Sequence, residues 1–315
     1  MGALVQDTLE PDAFRKLYPD QYYARFVAEG LRPDGRPLLQ ARPTTIALGA
    51  VSAADSSALV KIGNTTVMAG IKLEVMVPVD ERPQEGQVAV SVELTALCSP
   101  DARPGRFSEA AHCLNEQVST ALRSGGVVNL QNLLIAHGRA AWVAYLDLYV
   151  LDADGGLYDA ALLAALAALA ALRLPHVDVD DEGKVVPAGA SDAAMVLEDA
   201  DGQRLSAAGP AGPQPIAHLR VGSLPTALTC ALYNGQLIVD PDRDEEARAH
   251  ALVAVTVDDR GRLLGVEKQG GRAAADAAAL QSCIAAARVR HREVASLLRQ
   301  ALHAATVPGY SGADS

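Results

Sequence analysis

The sequence predicts an α+β fold that runs as sheet, helices, linker, sheet and helix. Two-residue turns at Gly63-Asn64 and Asn234-Gly235 stand between alternating apolar residues, a pattern typical of antiparallel hairpins. An Ala/Leu-rich run over 160–172 and apolar residues at helical intervals over 273–305 predict two long helices. Between them, residues 180–215 change to Gly, Pro, Ala and Asp with little periodicity, which indicates a linker between two halves.

The first elements follow from apolar spacing and stop signals. Residues 11–29 predict a leading helix, because apolar side chains recur at helical intervals before Gly30. Residues 31–37 are rich in turn formers and cannot continue that helix. The hairpin around Gly63-Asn64 comes next, and its alternation predicts one face in the core and the other in water.

The middle of the chain predicts a helix, a buried strand and a second helix. The first helix is expected over 108–123, with Ser108 as its N-cap. Residues 142–151 are apolar on both faces except at Asp147, which is typical of a central strand. The chain then turns, and Asp159 is predicted to cap the Ala/Leu-rich helix that follows.

The second half is predicted to be a sheet followed by one helix. Its strands are expected over 216–221, 227–233, 237–239, 251–257 and 263–267. The predicted organisation is a helical extension over 1–30, a first half over 31–180, a linker over 181–215, a second half over 216–305 and a tail over 306–315.

Composition and charge restrict the possible classes of protein. The chain has 315 residues, of which 50% are hydrophobic, enough for a large core. Its 27 basic and 38 acidic residues give a net charge of −11, which argues against a free-standing nucleic-acid binder. Aromatic residues make up only 4% of the chain, which argues against a platform for stacking single-stranded bases. Any RNA contact would need a local basic patch or basic partners.

Segment hydropathy and cysteine usage predict a soluble protein of a reducing compartment. The N-terminus lacks the basic and apolar regions of a signal peptide. The longest apolar run, 160–172, is shorter than the ~20 residues that span a membrane, so no membrane contact is expected. The four cysteines form no CxxC pair, which favours free thiols over a zinc site.

Common catalytic and metal motifs are absent from the sequence. It contains no GxxxxGK[ST] phosphate loop, no HExxH helix and no GxSxG elbow. Its seven histidines show no spacing typical of metal ligands. We therefore predict no metal site and no cofactor.

One group that could carry chemistry is a pair of arginines in a loop before a helix. Arg103 and Arg106 precede the helix that begins near Glu109. Guanidinium groups there could hold phosphate or RNA, helped by the N–H groups of the helix start. The alternative is a solvated basic loop, and the residues alone leave both open.

A second group is the turn Asp154-Gly155-Gly156 between the buried strand and the Ala/Leu-rich helix. Glycines at a helix start can let an anion approach the free N–H groups. However, Leu157 and Tyr158 supply no cation, and Asp159 would occupy the N–H donors itself. The residues therefore favour a tight turn before a capped helix.

A third group is the acidic run over 240–246, which holds five acids in seven positions. Clustered carboxylates could hold Mg²⁺ together with substrate phosphates. The alternative, which we favour, is an acidic loop that enters a helical turn, where Asp and Glu are stabilised. Spacing alone does not decide between them.

These segments, in this order and spacing, resemble the RNase PH family over residues 31–301. The resemblance is carried by Leu31-Arg32-Pro33-Asp34-Gly35-Arg36, by 58–67, by 142–156 and by Leu237-Ile238-Val239-Asp240-Pro241. It implies two β-α halves of the ribosomal protein S5 domain 2-like kind, related by pseudo-symmetry. It also implies a ring of six such subunits around an RNA channel. Within the family, the chain looks most like RNase-PH-like subunits of the eukaryotic RNA exosome ring.

The resemblance implies partners, a location and a role. The partners would be other RNase PH-like ring subunits, OB-fold cap proteins, an associated catalytic nuclease and RNA. The location would be the nucleus, the nucleolus and the cytoplasm. The role would be 3′-to-5′ RNA processing and degradation, including ribosomal RNA maturation and messenger RNA turnover.

The resemblance also bears on catalysis, because active members cleave RNA from its 3′ end with inorganic phosphate. Their loop arginine matches Arg106, but their Thr-Arg or Ser-Arg phosphate step falls on Leu157-Tyr158. Their aspartate pair falls on Asp240 and Glu246, which are both acidic, and a further acidic position falls on Leu252. Losing the arginine removes a charge-assisted, forked contact to phosphate.

We therefore predict a non-catalytic ring subunit, with no catalytic residues of its own and with Arg103 and Arg106 as its RNA-binding residues. The alternative is an active phosphate-dependent 3′-to-5′ exoribonuclease, which would need another cation in place of the lost arginine. A hydrolytic two-metal site at 240–246 ranks last, because no second group of carboxylates lies beside it in sequence.

Overall fold

The computed structural model describes residues 11–79, 81–95, 98, 109–179, 185–187, 217–272 and 274–306. These residues form two large sheets, two short strand pairs and several helices, so the predicted α+β class is confirmed. Within the described ranges, no helix combines the length and the hydropathy needed to cross a bilayer.

The N-terminal segment forms two short helices instead of the single predicted one. Helix α1 spans Pro11–Leu17 and helix α2 spans Pro19–Ala28. The chain breaks at Tyr18, whose backbone lies outside the helical region at φ −132° and ψ 58°. Proline disfavours helical geometry in the residue before it but fits the first turn of a new helix, so Pro19 explains the break.

The first sheet contains six strands in the order β1-β2-β3-β6-β4, with β5 paired to β6. They are β1 Thr44–Leu48, β2 Ser56–Ile62, β3 Thr65–Met76, β4 Gln87–Leu94, β5 Leu134–Ala136 and β6 Ala140–Asp152. The β2–β3 hairpin turns at Gly63-Asn64 as predicted, and β6 is the predicted central strand, flanked by β3 and β4. Strands β1 and β4 were not predicted, although β4 alternates apolar and polar residues.

Two helices accompany this sheet. Helix α3 spans Glu109–Ser124 and packs mainly on β4, while its predicted cap, Ser108, lies outside the described residues. Helix α4 spans Leu157–Ala171 and is buried on every side from Tyr158 to Leu169. Its small alanine side chains let it approach neighbouring strands closely on several sides.

The second sheet has the order β12-β11-β13-β14, and all of its pairs are antiparallel. Its strands are β11 Thr226–Tyr233, β12 Gln236–Val239, β13 Ala251–Val257 and β14 Leu263–Gly271. A short pair of β7 Arg173–Leu174 with β10 Ala217–His218 connects the halves, and β8 Val177–Val179 pairs with β9 Val185–Pro187. Helix α5 spans Arg243–Arg248 and helix α6 spans Ala277–Thr306. Most of the predicted linker lies outside the described residues.

Helix α4 joins the two halves. It lies against β2 and β3 of the first sheet and against β11 of the second. Helix α6 packs on β11 and β13 and also contacts β1. Helix α2 buries Val27 beside Tyr233 and Ile238 of the second sheet. The N-terminus of α4 therefore lies where both halves meet, and the site described below is at this junction.

Leu166 tests this central packing, because its side chain is 1% exposed within α4. We expect Leu166→Ala to lower the free energy of unfolding by about 2–5 kcal/mol, through lost burial and an unfilled cavity. Chemical denaturation followed by circular dichroism measures the change. Leu39→Ala is the matched control, because Leu39 is 68% exposed and its truncation should leave stability nearly unchanged. Equal losses in the two variants would contradict the central position of α4.

Candidate functional site

The turn before α4 is pressed against the second half of the chain. Gly155 and Gly156 both have left-handed backbones, with φ of 74° and 61°. A Cβ at Gly155 would collide with the backbone of Pro241 and Asp242. Glycine is therefore needed here for both conformation and space. The predicted tight turn is present, and Gly156 is the N-cap of α4.

The prediction that Asp159 caps α4 is wrong, because the N-cap residue is Gly156, which has no side chain. The Asp159 carboxylate instead accepts hydrogen bonds from Thr229 on β11. The Thr229 backbone N–H lies 2.7 Å from Oδ2, and the Thr229 hydroxyl lies 2.9 Å from Oδ1. Because α4 is enclosed by strands, a side chain in its first turn finds a partner on the neighbouring sheet before it can fold back on its own helix.

A different carboxylate occupies the helix start. The Gly156 N–H donates to Oε1 of Glu246 over 2.8 Å. Glu246 belongs to α5 of the second half, 90 residues further along the chain. Burial raises the pKa of Glu246 above its ordinary value, although the Gly156 N–H and Arg42 act in the opposite direction. The position where an external anion would bind at this helix start therefore already holds an internal carboxylate.

The cation of the site is Arg42, which sequence analysis did not identify. Its guanidinium donates two hydrogen bonds to the Asp240 carboxylate, from Nη2 to Oδ1 at 2.6 Å and from Nε to Oδ2 at 3.0 Å. The Arg42 backbone N–H also donates to Oδ2 of Asp240 over 2.7 Å. Both side chains are almost completely buried, at 6% and 3% exposure. This is a forked, charge-assisted pair in a dry environment.

The remaining N–H groups of Arg42 bind the turn before α4. They donate to the carbonyl oxygens of Asp154 and of Gly155, the latter at 3.0 Å, and more weakly to that of Pro241 at 3.4 Å. Asp240 itself has a left-handed backbone, with φ of 50°. One buried guanidinium thus connects the segment before β1, the start of α4 and the end of β12. No motif signals this role, because Arg42 and Asp240 are 198 residues apart.

A second buried arginine comes from the turn-rich stretch over 31–37. Arg32 is 1% exposed and donates to the carbonyl oxygens of Leu38, Val239 and Asp240. It also forms an ion pair with Glu245 at 3.3 Å. Residues near the N-terminal end of the chain therefore complete the second half of the fold, because they satisfy the last carbonyl groups of β12.

The acidic run is the predicted acidic entry to a helical turn. Asp242 and Glu245 form a capping box at the start of α5, where each side chain accepts from the other residue's backbone N–H. Asp244 pairs with Arg15 of α1 at 2.6 Å. Each acid of the run thus has a partner within the protein. Within the described part of the chain, no three His, Cys, Asp or Glu side chains are grouped as metal ligands.

Tyr158 fills the space between α4 and the second sheet. Its side chain is 4% exposed, and its hydroxyl lies 3.0 Å from that of Thr256 on β13. Burial raises the pKa of Tyr158 to about 12, so the phenol stays neutral. The enclosed cavity beside Asp159 and Asp240 measures only about 10 Å³, room for one water molecule at most.

The two predicted RNA-binding residues, Arg103 and Arg106, lie outside the described residues, as does most of the loop that carries them. Their role stays a prediction. Among the described candidates, Asp240, Glu246 and the Gly155-Gly156 turn are brought together as the family resemblance implies. Sequence analysis missed Arg42 and Arg32, whose partners come from distant parts of the chain.

Comparison with protein families gives matches in both halves. The model of the 3′ exoribonuclease family, domain 1, matches residues 40–175, and that of domain 2 matches residues 223–290. The chain is 33% identical over 248 residues to exosome complex component Rrp42 of Aeropyrum pernix, covering 79% of this chain and 82% of that protein. It is 34% identical over 243 residues to Rrp42 of Thermococcus onnurineus, covering 77% and 80%.

Solved structures show the same architecture. A chain of the Archaeoglobus fulgidus exosome with RNA bound to the active site superposes with a TM-score of 0.71 at 27% identity, covering 88% of this chain and 96% of that one. Rice Rrp46 superposes with a TM-score of 0.59 at 18% identity, covering 86% and 100%, which supports the fold alone.

The buried pair of Arg42 and Asp240 gives a prediction for stability. We expect Arg42→Met and Asp240→Asn each to cost about 3–5 kcal/mol, because each leaves a buried charged group without its counter-charge. Combining Arg42→Met with Asp240→Asn should cost less than the sum of the two single changes. Urea denaturation of the single and double variants measures the coupling. Arg82→Met, which breaks an exposed pair with Glu85, is the control and should leave the free energy of unfolding nearly unchanged. If the double variant lost the full sum of the two single losses, Arg42 and Asp240 would not form a direct pair.

The Asp159 carboxyl gives a prediction for pH dependence. Burial raises its pKa from 3.8 to about 7, and the nearby charge of Asp240 acts in the same direction, while Thr229 and Arg290 oppose it. Between about pH 4 and 7 the unfolded chain ionises this group while the folded chain keeps it protonated. Stability from this group is therefore complete below about pH 4, falls as pH rises towards 7 and then levels off.

Asp159→Asn should remove that slope. Across pH 4 to 7, we expect the native chain to lose up to about 4 kcal/mol relative to the variant. Denaturation at several pH values measures the difference, and Asp276→Asn on the surface serves as a control with an unchanged slope. Parallel pH profiles for native chain and Asp159→Asn would show that the carboxyl is not protonated in the fold.

Proposed function

The chain belongs to the RNase PH, or 3′ exoribonuclease, family, and from this membership we propose that it is a non-catalytic RNase PH-like subunit of an RNA exosome core ring. In that role it scaffolds the ring and guides RNA for 3′-to-5′ processing and degradation, including ribosomal RNA maturation and messenger RNA turnover. The name of its archaeal relatives, exosome complex component Rrp42, supports the ring assignment.

The observation that carries the non-catalytic proposal is the internal occupation of the anion position. Glu246 takes the N–H at the start of α4, and Asp240 neutralises Arg42, the cation nearest to it. Orthophosphate would have to displace the half-buried Glu246 carboxylate and approach the Asp240 carboxylate at close range. The side chain of Tyr158, at the position of the family's arginine, is directed to Thr256. Like-charge repulsion and desolvation both oppose phosphate binding in this arrangement.

The proposed partners are other RNase PH-like ring subunits, OB-fold cap proteins, an associated catalytic nuclease and RNA, in the nucleus, nucleolus and cytoplasm. Arg103 and Arg106 are the proposed RNA-binding residues. Within the ring, the leading helical segment, Asn64-Thr65-Thr66, Leu97-Cys98-Ser99 and the Asp240-Pro241 run most resemble the component called ribosomal RNA-processing protein 43. This finer assignment stays a prediction, because the relatives compared are named Rrp42 and Rrp46.

The alternative is an active phosphate-dependent 3′-to-5′ exoribonuclease. The favouring observation is that Asp240 and Glu246 are both acidic and lie on either side of Arg42 at the start of α4. This function requires that Glu246 release Gly156 and that a further cation enter the site. The two proposals differ in what happens when the charge of Glu246 is removed.

Ring membership is tested by affinity purification of the tagged chain from its own cells, with mass spectrometry of the chains that co-purify. We expect RNase PH-like partners in near-equal amounts, because a ring subunit is held by neighbours on two sides. OB-fold proteins and an RNase should accompany them. A homohexamer of this chain alone would contradict the proposal and favour the enzyme.

The absence of catalysis is tested with Glu246→Gln, which keeps an oxygen for the Gly156 N–H but loses the charge. The purified chain should release no nucleoside diphosphate from single-stranded RNA in inorganic phosphate. Within the ring, the substitution should leave any phosphate-dependent release unchanged within about twofold. Glu293→Gln, on the exposed side of α6, is the matched control. Release that is lost in Glu246→Gln but kept in Glu293→Gln would establish the enzyme instead.

A further inference from the structure

A turn at one end of the second sheet is held by its own hydrogen bonds. It connects β13 to β14 over residues 258–262. The Asp258 carboxylate is buried and accepts from the backbone N–H groups of Arg260 at 3.0 Å and of Arg262 at 2.7 Å. It also accepts from Nε of Arg262 at 2.6 Å. Gly261 supplies the left-handed residue of the turn, with φ of 72°. The turn is therefore held in one conformation, with two arginines on it.

Helix α6 brings two more arginines to this turn. Nε of Arg288 donates to the carbonyl oxygen of Gly261 over 3.0 Å. Arg292 follows one helical turn later, and its Nε donates to the carbonyl oxygen of Arg288 over 3.3 Å. Residues four apart share one helix face, so both side chains lie on the side of α6 that meets the turn. The arginine patch is defined as Arg260, Arg262, Arg288 and Arg292.

The guanidinium groups of the patch are anchored at one end and open at the other. Arg262, Arg288 and Arg292 each use Nε for the contact that fixes the side chain. Within the ranges that the structure describes, no acceptor contacts their terminal amino groups. All four residues are exposed, and the side chain of Arg262 is 65% exposed. The two terminal nitrogens of a guanidinium form the fork that matches a phosphate group.

The patch has the opposite sign to the protein as a whole. Its four arginines, set against Asp258 and Asp259, leave a local charge of 4 − 2, or +2, in a chain of −11. The rest of the chain therefore carries −11 − 2, or −13. The net charge of the chain therefore repels a polyanion, whereas the patch attracts it locally.

We propose that the arginine patch binds the phosphate backbone of single-stranded RNA without regard to sequence. RNA is favoured over an acidic protein segment because residues 258–262 and 288–292 contain no Tyr, Trp or Phe, the residues that usually anchor protein interfaces. Forked arginines without base-stacking partners suit phosphate contacts, which position a strand but do not select its sequence. The choice of RNA as the polyanion rests on the proposed function. The position and charge of the patch are independent of the proposed function.

The test measures binding of fluorescein-labelled 20-nucleotide poly(U) to the full chain by anisotropy at several salt concentrations. We expect Arg288→Gln combined with Arg292→Gln to weaken binding about tenfold, the effect of losing charge-assisted hydrogen bonds. The slope of log affinity against log salt should fall in magnitude by about 1.4, since each lost phosphate contact removes about 0.7 for a single strand. Arg260→Gln, in the turn itself, should weaken binding independently.

Arg82→Gln combined with Arg123→Gln is the matched control. It removes the same charge from exposed arginines, and Arg123 is anchored through Nε to the Ser119 carbonyl oxygen in the same manner as Arg292. Equal loss in patch and control variants, or no binding by the native chain, overturns the proposal. So does stronger displacement by polyglutamate than by unlabelled RNA, which would identify an acidic protein site. If the Arg288→Gln and Arg292→Gln variant assembles into the ring and binds RNA as well as the native chain, the patch inference is refuted while the proposed ring function stands.

Discussion

The two halves of this protein depend on one buried ion pair. Arg42 approaches from the segment before β1, Asp240 from the end of β12, and the guanidinium between them also holds the carbonyl groups at the start of α4. Taking both charges out of water costs several kcal/mol, and only multiple hydrogen bonds in good geometry offset that cost. Here the carboxylate accepts from the guanidinium and from the backbone N–H of the same arginine. The pair specifies how the halves meet because hardly any other placement would satisfy both charges.

The same pair sets what the junction can bind. A phosphate site needs free donors and a spare positive charge, and in the proposed role Glu246 takes the Gly156 N–H while Asp240 pairs with Arg42. Asp159 adds a further acidic group, held by Thr229 in the same enclosed region. Under the proposed function, the junction at the start of α4, which binds phosphate in active family members, serves only to hold the two halves together. Its acidic residues satisfy arginines and backbone N–H groups, so acidic identity by itself is weak evidence for catalysis.

Sequence patterns predicted those parts of the fold that are local. The β2–β3 hairpin, the central strand β6, the buried helix α4 and the acidic entry to α5 were all recognisable from spacing and turn residues. The Asp159 cap failed because a buried helix offers competing donors from a neighbouring sheet, which periodicity does not reveal. Arg42 and Arg32 could not be recognised, since their acceptors lie about 200 residues away. The resemblance to a family located the junction, and the geometry showed how its charges are used.

The burial of Arg32 has a consequence for how the chain is made. Residues 31–42 emerge early from the ribosome. The groups that bind Arg32 emerge only about 200 residues later; they are the carbonyl oxygens of Val239 and Asp240 and the carboxylate of Glu245. Until then the charged guanidinium of Arg32 stays in water, because the groups that would bury it are not yet present. At 5–20 residues per second that delay is on the order of 10–40 seconds. While the second half is being synthesised, residues 31–42 therefore lack the end of β12 and the start of α5 as packing partners. We expect the unfinished chain to rely on molecular chaperones during that interval.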